Sequence, residues 1–99
     1  MANYFLTNKA VADLTEIWHY TYEAWSERQA DIYYKLLTSS FLKILSNPAT
    51  GKPYKEIDAG LFGLRVGKHI VFYKTRKAGN IDIVRILHQK MDLKRKMEE

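Results

Sequence analysis

The hydrophobic period of this chain changes once, from three-and-four to two, and the change divides it into a helical first half and a strand-forming second half. In "TNKAVADLTEIWHYTYEAW" Val11, Leu14, Ile17, Trp18, Thr21 and Trp25 fall on one side of a helical wheel, with Asp13, Glu16, His19 and Glu23 opposite. The spacing predicts an amphipathic helix capped by Thr7 or Asn8. Ser26 and Gln29 stand at capping-box distance, so a second helix starts with no linker. Its stripe is Ala30, Tyr33, Leu37, Phe41 and Ile44, and Asn47-Pro48 stops it. Helices joined this tightly form an antiparallel hairpin. The stripe containing Trp18 and Trp25 is expected in the core, and the Tyr33-Tyr34 pair is expected to split between core and surface.

After an irregular stretch, "ATGKPYKEIDAG", with Lys52, Tyr54 and Lys55 in a basic and aromatic loop, the period becomes two. "LFGLRV" and "HIVFYKTR" are separated by Gly67-Lys68, and "NIDIVRIL" follows Ala78-Gly79, the pattern of consecutive antiparallel strands. "NYFLT" reads as a short first strand. The expected fold is α+β: an N-terminal strand, an antiparallel two-helix hairpin, then a three-stranded antiparallel meander, with the helices packed on one face of the sheet. In the last strand Ile81, Ile83 and Leu87 alternate with Val84 and Ile86, so both faces are apolar. The second face then needs cover, from a partner or from the C-terminal segment folding back. The alternation puts Arg85 on the side of Ile83 and Leu87.

Size limits the chain to one domain, residues 1–99, that buries roughly 65% of the surface exposed when unfolded. Sixteen Lys and Arg against eleven Asp and Glu leave a net charge of +5, which favours an anionic partner without choosing between nucleic acid and an acidic protein. The absence of cysteine removes disulfides, thiolate ligands and thiol nucleophiles. No basic leader, and no apolar run approaching the ~20 residues of a membrane span, is present, so a soluble, cytoplasmic protein with no membrane association is expected. His19, His69 and His88 are far apart in sequence and no metal-ligand spacing occurs, so neither metal nor cofactor is expected.

The stretch "VRILHQKMDL" gathers Arg85, His88 and Asp92 within a few residues. An arginine for a phosphate, a histidine to move a proton and further cations would suffice for a ribonuclease, with Arg65, Arg85 and His88 as catalytic residues. The same residues suit a binding surface. Arg65, on a strand flanked by Gly63 and Gly67, and Arg85 are candidate contacts to an acidic partner. Asp92 pairs with Lys90 or caps a terminal turn. Lys94, Arg95 and Lys96, in the charged terminus, are candidate target-facing cations.

The order of elements, the "ADL.EIW.YT...WSE.QAD.YY" pattern from Ala12 to Tyr34, the Gly63 to Tyr73 hairpin and the "RILH...D" ending together resemble the ParE toxins of the RelE/ParE superfamily. The resemblance spans nearly the whole chain. It implies the toxin of a type II toxin–antitoxin system, a plasmid-stabilising device that inhibits growth. Such a toxin binds DNA gyrase, blocks replication without chemistry of its own, and is neutralised by an acidic ParD-like antitoxin; a homodimer is a further partner it admits. RelE relatives instead cut messenger RNA on the ribosome, and fold alone does not separate the branches. The ribonuclease branch usually ends in a tyrosine, or in further histidine and basic side chains. Here no tyrosine follows Tyr73. The expected function is therefore gyrase inhibition, with ribosome-dependent endoribonuclease as the alternative and an inert partner-binding remnant as a third class.

Overall fold

A computed structural model describes residues 1–99. Strand β1 (Tyr4–Leu6) leads into helix α1 (Asn8–Ala24) and helix α2 (Glu27–Ser46), and a 3-10 turn (Pro48–Thr50) follows. Strands β2 (Lys52–Pro53), β3 (Phe62–Val66), β4 (His69–Thr75) and β5 (Ile81–His88) come next, and a short helix α3 (Leu93–Glu98) ends the chain. The helix starts are chemically marked. The Thr7 side chain accepts from the Ala10 N–H at 3.1 Å, and the Ser26 hydroxyl accepts from the Gln29 N–H at 3.1 Å. Only Trp25 and Ser26 separate the two helices, which therefore fold back on each other as the sequence predicts.

The sheet order is β1-β5-β4-β3-β2, with β1 parallel to β5 and every other pairing antiparallel. The hairpin and the meander supply the long crossover that a parallel pair requires. Two-residue β2 is a fifth strand that periodicity could not reveal, being too short to show any period. Between the helices and the sheet, Ala10, Leu14, Leu37, Phe41 and Ile44 meet Val66, Val71, Tyr73, Ile81, Ile83 and Ile86. The Tyr73 hydroxyl donates to the Pro48 carbonyl at 2.6 Å and accepts from the Gly51 N–H at 2.9 Å, so this buried ring leaves no orphan and pins the turn after α2.

The second sheet face is covered from within the chain. Leu61, Ile70, Phe72 and Leu87 form a smaller core, closed by Leu93 and Met97 of α3 and by Tyr54 and Ile57 of the preceding loop. Of the two covers expected, the C-terminal segment does fold back. Asp92 caps it, its carboxylate accepting from the Arg95 N–H at 3.2 Å.

Two expectations need correction. The register of β4 with β5 shifts between Phe72 and Tyr73, where Phe72 pairs with Arg85 but Tyr73 pairs with Ile83. A β-bulge at Val84 breaks the alternation. Arg85 therefore shares a face with Leu87 and not with Ile83, which lies in the helix-side core. Trp25 and Val11 are not core: they are 74% and 50% exposed. The apolar arc assigned to α1 was wider than the sheet it packs on. Trp18 is half-buried, with its indole N–H donating to Asp31 at 3.1 Å. Tyr33 and Tyr34 do split, Tyr33 being half-buried and Tyr34 exposed.

Candidate functional site

The end of β5 is where the sequence-predicted residues gather, and its geometry starts from an edge. Strand β1 stops at Leu6, so the outer edge of β5 runs on past its neighbour. Thr7 extends the pairing by one step: its N–H donates to the Ile83 carbonyl at 3.0 Å and its hydroxyl donates to the Val84 carbonyl at 2.9 Å. Asp13 of α1 then takes over, its carboxylate accepting the Ile86 N–H at 3.0 Å. A side chain thus stands where the next residue of a partner strand would be.

That carboxylate also holds Arg85. Nε donates to Oδ2 at 2.8 Å and Nη2 to Oδ1 at 3.0 Å, a two-pronged ion pair between side chains only 11% and 12% exposed. The third prong, Nη1, donates to the Lys96 carbonyl of α3 at 2.7 Å. Asp13 raises the pKa of Arg85 further, so the guanidinium stays charged at any accessible pH. Arg85 joins α1, β5 and α3, and is not a free charge for an outside partner. Sequence reading placed Asp13 on the solvent face of α1 and missed this pair; its members are 72 residues apart and no local pattern signals it.

A groove of about 640 Å³ opens beside the pair, lined by Asp13, Arg85, His69, His88, Lys90 and Lys96 among others. His69 and His88, distant in sequence, are directly opposite on β4 and β5, with ring centroids 5.3 Å apart. Strand register thus closes a separation of nineteen residues in sequence for this pair. No third His, Cys, Asp or Glu joins them to form a metal-holding group. The Tyr33 hydroxyl lies 2.6 Å from His69 Nδ1 and accepts from the Lys68 N–H at 3.1 Å. Burial, with the neighbouring His88, pushes the His69 pKa down to about 4. The ring is therefore neutral near pH 7, with its Nδ1 hydrogen-bonded to a tyrosine hydroxyl that also lies 3.3 Å from the Val66 carbonyl. His88 Nδ1 accepts from the Lys90 N–H at 3.1 Å, which directs its Nε2 as the free nitrogen.

Arg65 does not belong to this group. Its neighbour Val66 packs in the helix-side core, so by alternation Arg65 points to the other face, exposed, with only a long 3.5 Å contact from Nε to the Gly67 carbonyl. His69 touches Tyr33 of α2 and so faces the helices, as does His88 opposite it. Arg65 and His88 are on opposite faces. Lys94 and Arg95 are exposed on α3, while Lys96 is half-buried and its ammonium is 3.5 Å from Glu99. The arrangement can present donors and charge. It places no free arginine beside a base, although Lys9 and Lys90 share the groove with the imidazoles.

Comparison with known proteins agrees with this architecture. The family described as "ParE toxin of type II toxin-antitoxin system, parDE" matches residues 4–93. Toxin ParE1 of Mycobacterium tuberculosis is 38% identical over 96 residues, covering 97% of this chain and 98% of the relative. Toxin ParE1 of Caulobacter vibrioides is 36% identical over 92 residues, with 93% and 94% covered. Among solved structures, the chromosomal ParDE toxin–antitoxin system from P. aeruginosa superposes with a TM-score of 0.73 at 22% identity, covering 89% of this chain and 95% of the other. The RelBE2 toxin–antitoxin complex from Mycobacterium tuberculosis gives 0.62 at 21% identity, with 89% and 98% covered. At such identities the structures establish the fold, which both branches share, while the family match and the near-full-length relatives select the branch: this chain belongs to the ParE toxin family of type II toxin–antitoxin systems.

Proposed function

We propose that the chain inhibits DNA gyrase by binding to it, and that an acidic ParD-like antitoxin neutralises it by direct contact. Membership of the ParE family motivates the target. One observation carries the non-catalytic reading: of the three residues ribonuclease chemistry would use, Arg85 is consumed by Asp13 and Lys96, and Arg65 and His88 lie on opposite sheet faces. Phosphoryl chemistry on RNA needs a cation and a base converging on one phosphate.

For the antitoxin, Arg65 is an exposed cation without an acidic partner, and it remains the charged anchor. The groove between α1 and α2 on the outer side holds Thr15, Trp18, Asp31 and Tyr34. Away from Trp18 and Asp31, towards the base of the hairpin, it continues at i±4 spacing into exposed Val11, and exposed Leu42 lies two turns beyond Tyr34. An amphipathic helix laid there would be recognised through its apolar face. Lys94, Arg95 and Lys96 would add attraction to the DNA that gyrase holds. The test is a gyrase supercoiling assay run beside single-turnover cleavage of messenger RNA on purified ribosomes. Inhibition of supercoiling with intact message is expected. Cleaved message with gyrase unaffected would overturn the reading in favour of the endoribonuclease.

A further inference from the structure

The tip of the α1–α2 hairpin concentrates two properties, exposed aromatic rings and negative charge. Trp18, Tyr22 and Trp25 follow each other at i, i+4 and i+7 on α1, and the first two stack with centroids 5.3 Å apart. Trp25 is the residue at which α1 turns into α2, yet it is 74% exposed. An aromatic side chain of this size, left in water beside two others, marks an interaction surface rather than a core. The second property is charge. Residues 13 to 31 carry five carboxylates against one cation, Arg28, so the segment is −4 while the whole chain is +5, and everything else is +9. Asp13 is neutralised by Arg85, but Asp31 accepts the Trp18 indole N–H at 3.1 Å and Glu27 lies one turn before it on the same face of α2, and no lysine or arginine forms a salt bridge with either.

We propose that this acidic, aromatic tip is the surface through which the toxin grips the protein part of its target, and that it takes a basic, apolar protein surface. The reading rests on the target being a protein, as under gyrase inhibition. Charge decides the occupant: DNA and an acidic antitoxin are both repelled by the tip, whereas both are attracted to the remainder of the chain. The base of the hairpin, by contrast, carries Lys9 and Lys43 together with exposed Val11 and Leu42. An acidic antitoxin helix lying on the base leaves the tip projecting, so target and antitoxin occupy different parts of one hairpin.

Two variants of the full chain test this, Trp25→Ala and Glu27→Lys, both at exposed positions. Each is compared with the parent in melting temperature, antitoxin affinity, gyrase supercoiling inhibition and growth inhibition on induction. Truncating an aromatic anchor at the centre of an interface costs roughly tenfold to thirtyfold in potency. That loss is expected for Trp25→Ala in growth and in gyrase inhibition, with the melting temperature kept and antitoxin affinity within about twofold of the parent. Glu27→Lys should lose potency in the same direction. If the parent leaves gyrase untouched, the gyrase reading fails by itself and growth inhibition judges the tip. Variants no different from the parent in growth overturn the proposal, as does a loss of antitoxin affinity equal to the loss of potency.

Discussion

Removing the Asp13 carboxylate is the sharpest perturbation available, because three hydrogen bonds converge on it. Asp13→Ala leaves the Arg85 guanidinium with only the Lys96 carbonyl, and leaves the Ile86 N–H without its acceptor at an unpaired strand edge. Breaking one side of a buried ion pair typically costs about 3–5 kcal/mol, since the remaining charge has been taken out of water for nothing. An orphaned N–H alone costs about 1–3 kcal/mol. These penalties overlap, and the adjoining groove admits some water, so we expect about 3 kcal/mol in total, drawing on both magnitudes. Asp13→Leu with Arg85→Met removes the charge but keeps the orphan, and should cost only about 1–2 kcal/mol. Urea melts with a common m-value measure both. A single variant less than about 1 kcal/mol below the parent would refute the clasp, and so would a double variant no more stable than the single.

Other consequences follow from the same region. His69 has its folded pKa lowered to about 4 from an ordinary 6.5, so below about 6.5 the unfolded chain takes up the proton first. Stability should be unaffected above that pH and fall as pH drops towards about 4, by roughly 1–2 kcal/mol once solvent screening of a half-buried ring is allowed for; thermal melts across this window should show the slope, and His69→Gln should flatten it. Tyr33→Phe deletes the hydroxyl shared by the Lys68 N–H and His69 Nδ1, and a loss of about 1–2 kcal/mol in urea is expected. Arg65→Glu should weaken an acidic antitoxin in calorimetry while leaving the melting temperature in place; equal affinity would remove Arg65 as an anchor.

The elements were legible in the sequence because each carries a local signal. Thr7 and Ser26 announce helix starts, Asn47-Pro48 a stop, and the change of period separates hairpin from meander. What the sequence concealed depends on pairing between distant segments. The bulge at Val84 is one inserted residue that redirects Arg85, and no residue type there demands it. Asp13 looks like any carboxylate on the wet side of a helix until β1 is seen to end at Leu6 and leave an edge to be filled. The Val66–His69 pairing could have been inferred from the two-residue Gly67-Lys68 turn. The position of His88 beside His69 could not, because the bulge lies between the hairpin and that pair.

The fate of Arg85 links fold to activity. A charged residue at the end of the last strand is what a nuclease would use on a phosphate, and it is also what a fold needs to fasten a short C-terminal helix of six residues that has little stability alone. Here α1 supplies the counter-charge and the guanidinium serves the fold, spanning α1, β5 and α3 in one side chain. Once that cation is committed inwards, the groove retains two imidazoles, one of them neutral and held by Tyr33, with no arginine free to stabilise a phosphorane. The ion pair holds the helices and the terminus on the sheet. Under the proposed function, recognition falls to the hairpin and the exposed cations of the second face, where it needs shape and charge and no proton transfer.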